Sequence, residues 1–346
     1  MISPRLFSLI LVLIAPCAIF ADDVPPTARS LSEYRNTNGN PPDGTDTARD
    51  DTSALQLALA AGPGVVYIGP GYYRFGAVTI PTGVSLIGSG PKTIVRSSGA
   101  SQIFLQKDVS QWRLRDLTLD GEATGKWQER KDEGKSGLHA ERCAQFELTR
   151  VLFQNFNGAA LQLSHFVPGL DAQCVGNLDR VSALENYIGI RFDERAEYMN
   201  ATNLICSRNV IGCVIHAGNV KIGASNFCGN TDGMLIEDKI NGSHGSIANC
   251  LFNHNDRHAL VCRKVESGMA ITGCCFFYGT LLVEDSAGVN ISEGMLSCHV
   301  VTKSELANRI SGNYIISESH ASFKFAPSTI VNGNFTKAGP WEADKP

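Results

Sequence analysis

The sequence is poor in charged residues and concentrates no positive charge. Asp, Glu, Lys and Arg make up 18% of its 346 residues, the formal net charge is −4, and no basic run is longer than a pair. Proteins that bind nucleic acid usually carry a basic patch or stripe. We therefore expect no nucleic-acid partner.

Long apolar runs and helical periodicity are also missing. After the first 21 residues, no segment approaches the roughly 18 consecutive apolar residues that suggest a membrane-spanning helix. Between residues 199 and 301 no stretch of about ten residues repeats with the helical period of 3.6. We therefore expect no membrane span, and a strand-based body.

The eleven cysteines lack the spacing of a metal site. No Cys-x-x-Cys pair or Cys/His cluster is present, so a structural metal is not expected. Most of the cysteines lie within short apolar runs, which favours buried free thiols. A disulfide between neighbouring repeats, such as Cys228 with Cys250 or with Cys206, stays open.

An internal repeat is present instead. Short apolar segments that begin with Asn or Gly recur every 21 to 24 residues, at positions 203, 226, 249, 273 and 294. Helical repeats need about 33 residues or more, and the regular Leu-x-x-Leu-x-Leu pattern of a leucine-rich repeat is absent. Asn and Gly at fixed offsets supply tight turns between strands. The sequence therefore predicts an all-β, right-handed parallel β-helix of roughly ten coils.

The domain organisation follows from the flanks of this repeat. Residues 1–21 are typical of a secretory signal peptide, with Arg5 before an apolar run, so we expect a secreted or periplasmic protein. We expect residues 22–48 to form a flexible lead-in, residues 49–336 to form the β-helix domain, and residues 337–346 to form a polar C-terminal tail. A short helix near residues 51–61 is expected to cap the open end of the core.

The start of the β-helix domain resembles a known family. The segments are Asp50-Asp-Thr-Ser-Ala-Leu-Gln56, Gly64-Val-Val-Tyr-Ile-Gly-Pro-Gly-Tyr72 and Ile80-Pro-Thr-Gly-Val-Ser-Leu-Ile-Gly-Ser-Gly90. They are similar to the opening of the pectate-lyase-like superfamily, whose members include pectate lyases, rhamnogalacturonases, polygalacturonases, epimerases and phage tailspikes. The resemblance implies a right-handed β-helix and a polysaccharide partner. It does not specify the reaction, because these segments are structural.

One turn also resembles a catalytic motif of the polygalacturonases. Asn230-Thr-Asp-Gly233 matches their Asn-Thr-Asp, which makes Asp232 a secondary catalytic candidate. However, Asn-x-x-Gly recurs one coil earlier as Asn209-Val-Ile-Gly212, so the turn explains the Asn and the Gly. The family's remaining motifs have no counterpart in place.

Aligning the coils on the turn residue before each apolar run predicts which side chains face outward. Strand side chains alternate between faces, so the second and fourth residues after the turn should point away from the core. These pairs are His139 and Glu141, Ala160 and Gln162, Arg191 and Asp193, Val214 and His216, Leu235 and Glu237, Leu260 and Cys262, and Leu281 and Val283. The alignment predicts a polar line that turns apolar from Leu260 onward.

This line supplies the groups that polysaccharide cleavage needs. Asp193 and Glu237 could serve as the carboxylate pair of a hydrolase. His216, His139 or Arg191 could serve a lyase as base or as counter-charge to a uronate. We take Asp193, His216, Glu237 and Arg191 as catalytic candidates. The competing interpretation is that these residues are ordinary solvent-exposed polar side chains with no function.

Further candidates lie around the line. Substrate-binding candidates are His139, Glu141, Gln162 and Trp127, the last in a charged insertion at residues 120–136. Asp238 and Glu237 form an adjacent acidic pair in this region, so Ca²⁺ is a possible ligand, but the sequence establishes no cofactor.

Two functional hypotheses follow. The first is an exported lyase or glycoside hydrolase that acts on an acidic, pectin-like or alginate-like polysaccharide. The second is a non-catalytic β-helix that binds glycans or serves as a surface structure. Sequence alone leaves the oligomeric state undetermined.

Overall fold

The computed structural model describes residues 25–36, 38–164, 175–216, 218–239, 242–316 and 322–341. Over these residues the chain winds into a parallel β-solenoid of about 11 turns. The predicted all-β parallel β-helix of roughly ten coils is thereby confirmed. The predicted signal peptide, residues 1–21, lies outside the described residues.

Each turn contributes one short strand to each of three parallel faces. The first face, here called the site sheet, contains Gln102–Lys107, Ser136–Glu141, Ala159–Ser164, Ile188–Phe192, Ile211–Ile215, Asp232–Glu237, His258–Arg263, the second parts of Cys275–Glu284 and Met295–Lys303, and Phe323–Lys324. The second face contains Arg29–Ser30, Gly64–Tyr67, Val84–Ile87, the first parts of Arg113–Asp120 and Ala144–Gln154, Val175–Asp179, Met199–Thr202, Val220–Gly223, Gly245–Ala248, Met269–Thr272, Val289–Ser292, Asn308–Ser311 and Thr329–Asn332. The third contains Gly71–Phe75, Thr93–Ser97, the second parts of Arg113–Asp120 and Ala144–Gln154, Ser182–Leu184, Ile205–Ser207, Asn226–Cys228, Leu251–Asn253, the first parts of Cys275–Glu284 and Met295–Lys303, Tyr314–Ile315 and Phe335–Thr336. A last strand, Gly339–Pro340, pairs antiparallel with Phe335–Thr336.

One α-helix, α1, spans Thr52–Ala60 near the N-terminal end. Its apolar side buries Leu55 and Leu59 in the same core as the first coils. Part of the predicted lead-in also packs there, because Arg29–Ser30 pairs with Gly64–Tyr67 and Leu31 is buried. Short 3-10 turns occur at Leu31–Glu33, Gly90–Lys92 and Trp127–Glu129. None of the helices in the described part of the chain has the length and apolar character needed to cross a lipid bilayer.

Buried asparagines line one inner corner of the solenoid. Asn186, Asn209, Asn230 and Asn255 occupy equivalent positions on four consecutive coils. In each of the last three, the side-chain Oδ1 accepts a hydrogen bond from the backbone N–H of the asparagine one coil earlier, at 2.9 to 3.1 Å. Their side-chain amides donate to backbone carbonyls, for example from Asn230 to Cys206 at 3.0 Å. Since a buried backbone group without a partner is costly, the repeated Asn is a structural requirement.

The cysteines follow the expected pattern, with one correction. In the structure, which describes the reduced chain, the nine described cysteines are free thiols, and seven of them are buried. The pairs suggested from sequence do not meet, because Cys206 lies opposite Phe227 and Cys228 lies opposite Asn253. Spacing along the repeat could not reveal this, because Cys206 points into the core while Cys228 is partly exposed.

Candidate functional site

The carboxyl ends of the site-sheet strands carry a continuous line of polar side chains, here called the outer column. Pairing between successive strands places one residue of each coil directly beside the next. The outer column consists of Lys107, Glu141, Ser164, Asp193, His216, Glu237, Arg263, Glu284 and Lys303. Because stacked strands lie about 4.8 Å apart, each member can contact its neighbours above and below.

A second line, the middle column, runs parallel to it two residues earlier on each strand. It consists of Leu105, His139, Gln162, Arg191, Val214, Leu235, Val261, Leu282 and Val301. Only the coils of His139, Gln162 and Arg191 are polar in both columns. The richest polar environment on the face is therefore near Asp193.

His216 is the centre of the candidate site. Its Nδ1 lies 3.0 Å from Oδ1 of Asp193, and its Nε2 lies 3.7 Å from Oε2 of Glu237. The side chain of His216 is 6% exposed, that of Asp193 15% and that of Glu237 24%. The imidazole is thus nearly enclosed between two carboxylates, and Glu237 is the member most accessible from solvent.

Asp193 is held ionised by its neighbours. Gln162 donates to its Oδ2 at 3.0 Å, and Nε of Arg191 lies 2.9 Å from the same oxygen. Burial alone would raise the pKa of the Asp193 carboxyl, but the hydrogen bond to His216 and the charge of Arg191 outweigh it. The pKa therefore lies below its usual value of 3.8. Asp193 can fix the orientation of the imidazole while staying negative.

Glu237 faces a cation on its other side. Nη1 of Arg263 lies 3.9 Å from Oε1 of Glu237, while Nε of Arg263 lies 3.0 Å from Oε2 of Glu284. Nζ of Lys303 lies 3.9 Å from Glu284 in turn. Charges of opposite sign therefore alternate along the column beyond Glu237. The positive charge of Arg263 holds the Glu237 carboxylate in place next to His216.

Glu141 and His139 lie toward the N-terminal end of the same face. Glu141 pairs with Nζ of Lys107 at 3.2 Å and with Nη1 of Arg142 at 2.8 Å. Nε2 of His139 lies 2.8 Å from Oγ of Ser164. Burial lowers the pKa of the His139 imidazole, so this side chain is neutral near pH 7.

The predicted register was wrong on both sides of the central three coils. Gln162 stands beside His139 and Arg191 in the middle column, whereas the sequence alignment placed it with Glu141. Beyond Glu237 the column does not turn apolar: Cys262 points inward, and Arg263 takes the outward position. The sequence signal that could have revealed Arg263 is its place directly after the apolar run Ala259–Cys262, just as Glu237 directly follows the apolar run Met234–Ile236.

Asp232 belongs to a separate cluster. Its Oδ1 accepts from Nε of Arg257 at 2.8 Å and lies 2.8 Å from Nδ1 of His258. Burial would raise the pKa of the Asp232 carboxyl, but the hydrogen bonds to Arg257 and His258 prevail and lower it. Asp232 begins the strand that Glu237 ends, so the two lie about 16 Å apart along that strand. The structure thus does not bring Asp232 into contact with His216.

A small apolar patch lies between these two ends of the site sheet. Ala159, Ile188 and Val214 pack on one another with Tyr187 and Ile211, apart from the main core. The sequence alignment did not single out this patch.

The charged insertion is anchored at the opposite edge of the site sheet from His216. Arg130 donates to the backbone carbonyl of Glu185, to Oδ1 of Asn155 at 3.2 Å and to the carbonyl of Ala123 at 3.3 Å. Trp127, in the 3-10 turn Trp127–Glu129, is partly exposed. The insertion is therefore held by these hydrogen bonds beside the amino ends of the site-sheet strands.

The candidate site does not suit Ca²⁺. Among the described residues, no group of three or more His, Cys, Asp or Glu side chains is arranged to hold a metal ion. Calcium takes six to eight oxygen ligands, whereas Asp193 and Glu237 already face His216, Arg191 and Arg263. The residues present hold these carboxylates with N–H donors instead.

Comparison with known proteins identifies the fold. No family model matches the sequence. An alignment of 97 positions to mannuronan C5-epimerase AlgE3 of Azotobacter vinelandii is 34% identical and covers 22% of this chain and 5% of that protein. The chain therefore corresponds to only a small part of that relative.

Two solved structures share the architecture over most of the chain. The A-module of mannuronan C-5 epimerase AlgE4 from Azotobacter vinelandii matches with a TM-score of 0.60 and 16% identity, over 89% of this chain and 97% of that one. The tailspike gp49 of Acinetobacter baumannii bacteriophage Fri1, a capsular polysaccharide depolymerase, matches with a TM-score of 0.62 and 14% identity, over 92% of this chain and 65% of that one. The resemblance to the pectate-lyase-like group of parallel β-helices is thereby confirmed at the level of fold.

Proposed function

We propose that this chain is an exported carbohydrate-active protein that cleaves or remodels an acidic polysaccharide by removing a proton next to a uronate carboxylate. The observation that carries this proposal is the imidazole of His216, held between Asp193 and Glu237 on the outward face of the site sheet. The epimerases and the depolymerase with the same fold act on polysaccharides, as their names state. That likeness supports the substrate class.

The geometry favours proton abstraction over hydrolysis by two carboxylates. A glycoside hydrolase places its two carboxyl groups on either side of the scissile bond. Here an imidazole occupies the space between Asp193 and Glu237, so the pair cannot bracket a sugar linkage. An oriented imidazole beside an exposed carboxylate is instead suited to acid–base exchange.

Each residue has a defined role in this proposal. Glu237, the most exposed of the three, takes the proton from the carbon next to the uronate carboxylate. His216 exchanges a proton with Glu237, and Asp193 orients its ring. The half-buried guanidinium of Arg191 lies beside them, where it can offset the charge of the uronate.

Elimination and epimerisation share this first step. In elimination, the electrons of the broken C–H bond form a C=C double bond as the glycosidic C–O bond breaks, and the leaving oxygen takes a proton and becomes a new chain end. In epimerisation, a proton returns to the same carbon from the other face. The apolar patch of Tyr187, Ile188, Ile211 and Val214 offers a surface for the less polar face of a sugar ring.

Deuterium uptake and the formation of unsaturated product together test the shared step. The protein is incubated in D₂O with a panel of polyuronates, with and without Ca²⁺, and the products are assayed by mass spectrometry and by the ultraviolet absorbance of unsaturated uronates. Epimerisation should leave deuterium at the carbon next to the carboxylate, whereas elimination should give an unsaturated uronate, which keeps no hydrogen at that carbon. Glu237→Gln should lower the rate by about 100-fold or more, the usual contribution of a positioned general base.

Glu147→Gln is the matched control. Glu147 is a partly exposed acid of the second face that pairs with Arg113 at 3.3 Å, and its loss should leave the rate unchanged. Absence of deuterium, unsaturated product and new reducing ends across the whole panel would refute the proposal.

A non-catalytic glycan-binding role is the second candidate. The cations of this face, Lys107, Arg191 and Arg263, each stand next to a carboxylate, as they would on a surface adapted for stability and binding alone. Under this alternative the polyuronate binds equally well to the wild type and to Glu237→Gln, and neither protein releases a product.

A further inference from the structure

Cys250 and Cys274 occupy the same inner corner of consecutive coils. The strands before them pair in register, with Ala248 opposite Thr272, and each cysteine follows two residues later. The backbone N–H of Cys275 donates to the carbonyl of Cys250 at 2.9 Å, so the two backbones stay stacked past the strand ends. Stacking at about 4.8 Å falls inside the range of Cα separations, about 4.4–6.8 Å, that a disulfide spans.

The sulfur of Cys274 points toward the coil of Cys250, 3.6 Å from the carbonyl of Ile247, while the sulfur of Cys250 lies 3.9 Å from the carbonyl of Ile222 on the preceding coil. The backbone N–H of Cys250 donates to Sγ of Cys274 at 3.5 Å, which places that sulfur against the coil of Cys250. Both side chains are buried, at 2% and 1% exposure. At equivalent positions, polar side chains likewise accept a backbone hydrogen bond from the preceding coil. Ser225 accepts from the N–H of Leu204, and Asn313 accepts from the N–H of Gly294.

The described cysteines contain no other pair so placed. Cys206 lies opposite Phe227, and Cys213 lies between Ile190 and Met234. Cys262 lies between residues 236 and 283, and Cys275 lies between residues 251 and 295. The stacking of Cys250 on Cys274 is therefore specific to this corner.

The contact also makes one thiol more reactive than the other. A hydrogen bond from the Cys274 thiol lowers the pKa of Cys250, and the same contact raises the pKa of Cys274. The thiolate is the attacking species in disulfide chemistry. We therefore assign the first attack to Cys250.

We propose that Cys250 and Cys274 are joined by a disulfide that locks the two coils together when the chain folds in an oxidising compartment. The Cys250 thiolate attacks a low-molecular-weight disulfide such as oxidised glutathione and displaces one glutathione thiolate. Cys274 then loses its proton and attacks the Cys250 sulfur of the mixed disulfide, which displaces the second glutathione thiolate. Two protons and two electrons leave the protein, and the reagent is reduced to two thiols.

The bond would close a segment that includes one strand of the site sheet. The enclosed segment, residues 250–274, carries His258 and Arg263, the neighbours of Asp232 and Glu237. A cross-link that closes a loop of this length lowers the conformational entropy of the unfolded chain and so stabilises the folded state. The inference does not depend on the proposed function, because it concerns the stability of these coils alone.

Peptide mapping tests the disulfide directly. The full chain is refolded from the reduced state in a mixture of reduced and oxidised glutathione, free thiols are alkylated, and the protein is digested without reductant. We expect a cross-linked peptide that contains Cys250 and Cys274. Oxidised protein should melt about 5 °C higher than protein kept in reductant.

Two variants sharpen the test. Cys262→Ser, at a buried position opposite Ile236 and Val283, should keep both the cross-linked peptide and the shift in melting temperature. The double variant Cys250→Ser with Cys274→Ser should lose both. Alkylation of Cys250 and Cys274 in the refolded wild type, or a cross-link between other cysteines, would overturn the proposal whether or not the variants fold.

Discussion

Asp193 is an ionised carboxylate in a largely dry environment. It is stable there because Gln162, Arg191 and His216 surround it with donors and positive charge. Removing such a carboxylate leaves the partners' desolvation uncompensated. Its contribution to stability should therefore depend on pH.

We expect Asp193→Asn to lower the free energy of unfolding at pH 7 by about 1–3 kcal/mol. Because the folded state lowers the pKa of Asp193, the stabilisation is complete above the ordinary value of 3.8 and disappears as pH falls through the folded pKa. Urea unfolding of wild type and variant should therefore differ at neutral pH and converge in acid. A difference that persists unchanged in strong acid, or that also appears in Glu147→Gln, would contradict this account.

The Asn-Thr-Asp turn shows why a motif alone misleads at this scale. The side chain of Asn230 belongs to the buried corner, and Asp232 is clamped by Arg257 and His258, about 16 Å along the strand from Glu237. The repetition of Asn at position 209 predicted the structural role of Asn230. The partners of Asp232 come from the next coil and could not be inferred from the motif.

At the level of strands, coils pack so closely that one position admits almost no side chain. A Cβ on Gly212 would lie 2.5 Å from the carbonyl oxygen of Gly233, on the next coil. That oxygen belongs to the backbone and cannot rotate away. The glycine before the apolar run is therefore required by contact between coils.

Gly212→Ala should destabilise the protein by about 1–3 kcal/mol, the usual cost of overpacking. Gly223→Ala is the matched control, since a Cβ there meets only the carbonyl of Ala248 at an ordinary 3.8 Å. Denaturant midpoints of the two variants would separate these cases. Equal midpoints would show that the coils can move apart to accept the methyl group.

The same glycine explains how far sequence could predict the site. Gly189, Gly212 and Gly233 are equivalent in the structure, so aligning on them correctly brought Asp193, His216 and Glu237 together. On either side alanine takes the equivalent place, at Ala160 and Ala259. Anchoring on Gly158 and His258 instead shifted the register there and hid Arg263. The architecture was predictable because the repeat is long, whereas the register depended on single anchors.

At the scale of the whole molecule, the chain is quasi-one-dimensional, and each coil contacts mainly its neighbours. Residues adjacent in the outer column are 21 to 29 positions apart between Ser164 and Glu284. A whole coil can therefore be removed without cutting into a strand of the others. Residues 209–229 form such a unit, with one strand on each face and an asparagine at its start.

Deleting residues 209–229 would join Arg208 to Asn230 and stack Asn230 on Asn186, which preserves the buried corner. Glu237 would then stand directly beside Asp193, about 4.8 Å away by strand spacing, with no imidazole between them. We expect the pKa of one of the two carboxyl groups to rise, because like charges at this distance resist joint ionisation. Carboxyl titration by NMR would measure it, and two ordinary acidic pKa values in a folded deletion variant would count against the expected stacking.

Because the coils stack in register, the order of the coils determines which side chains are neighbours on each face. Loss or duplication of a single coil changes which side chains become neighbours while leaving every residue's own strand intact. A pair of carboxylates, an acid beside an imidazole, or a carboxylate beside a guanidinium can each arise from the same scaffold by such a change. New chemistry on this fold can therefore begin with a change in chain length, before any active residue is substituted.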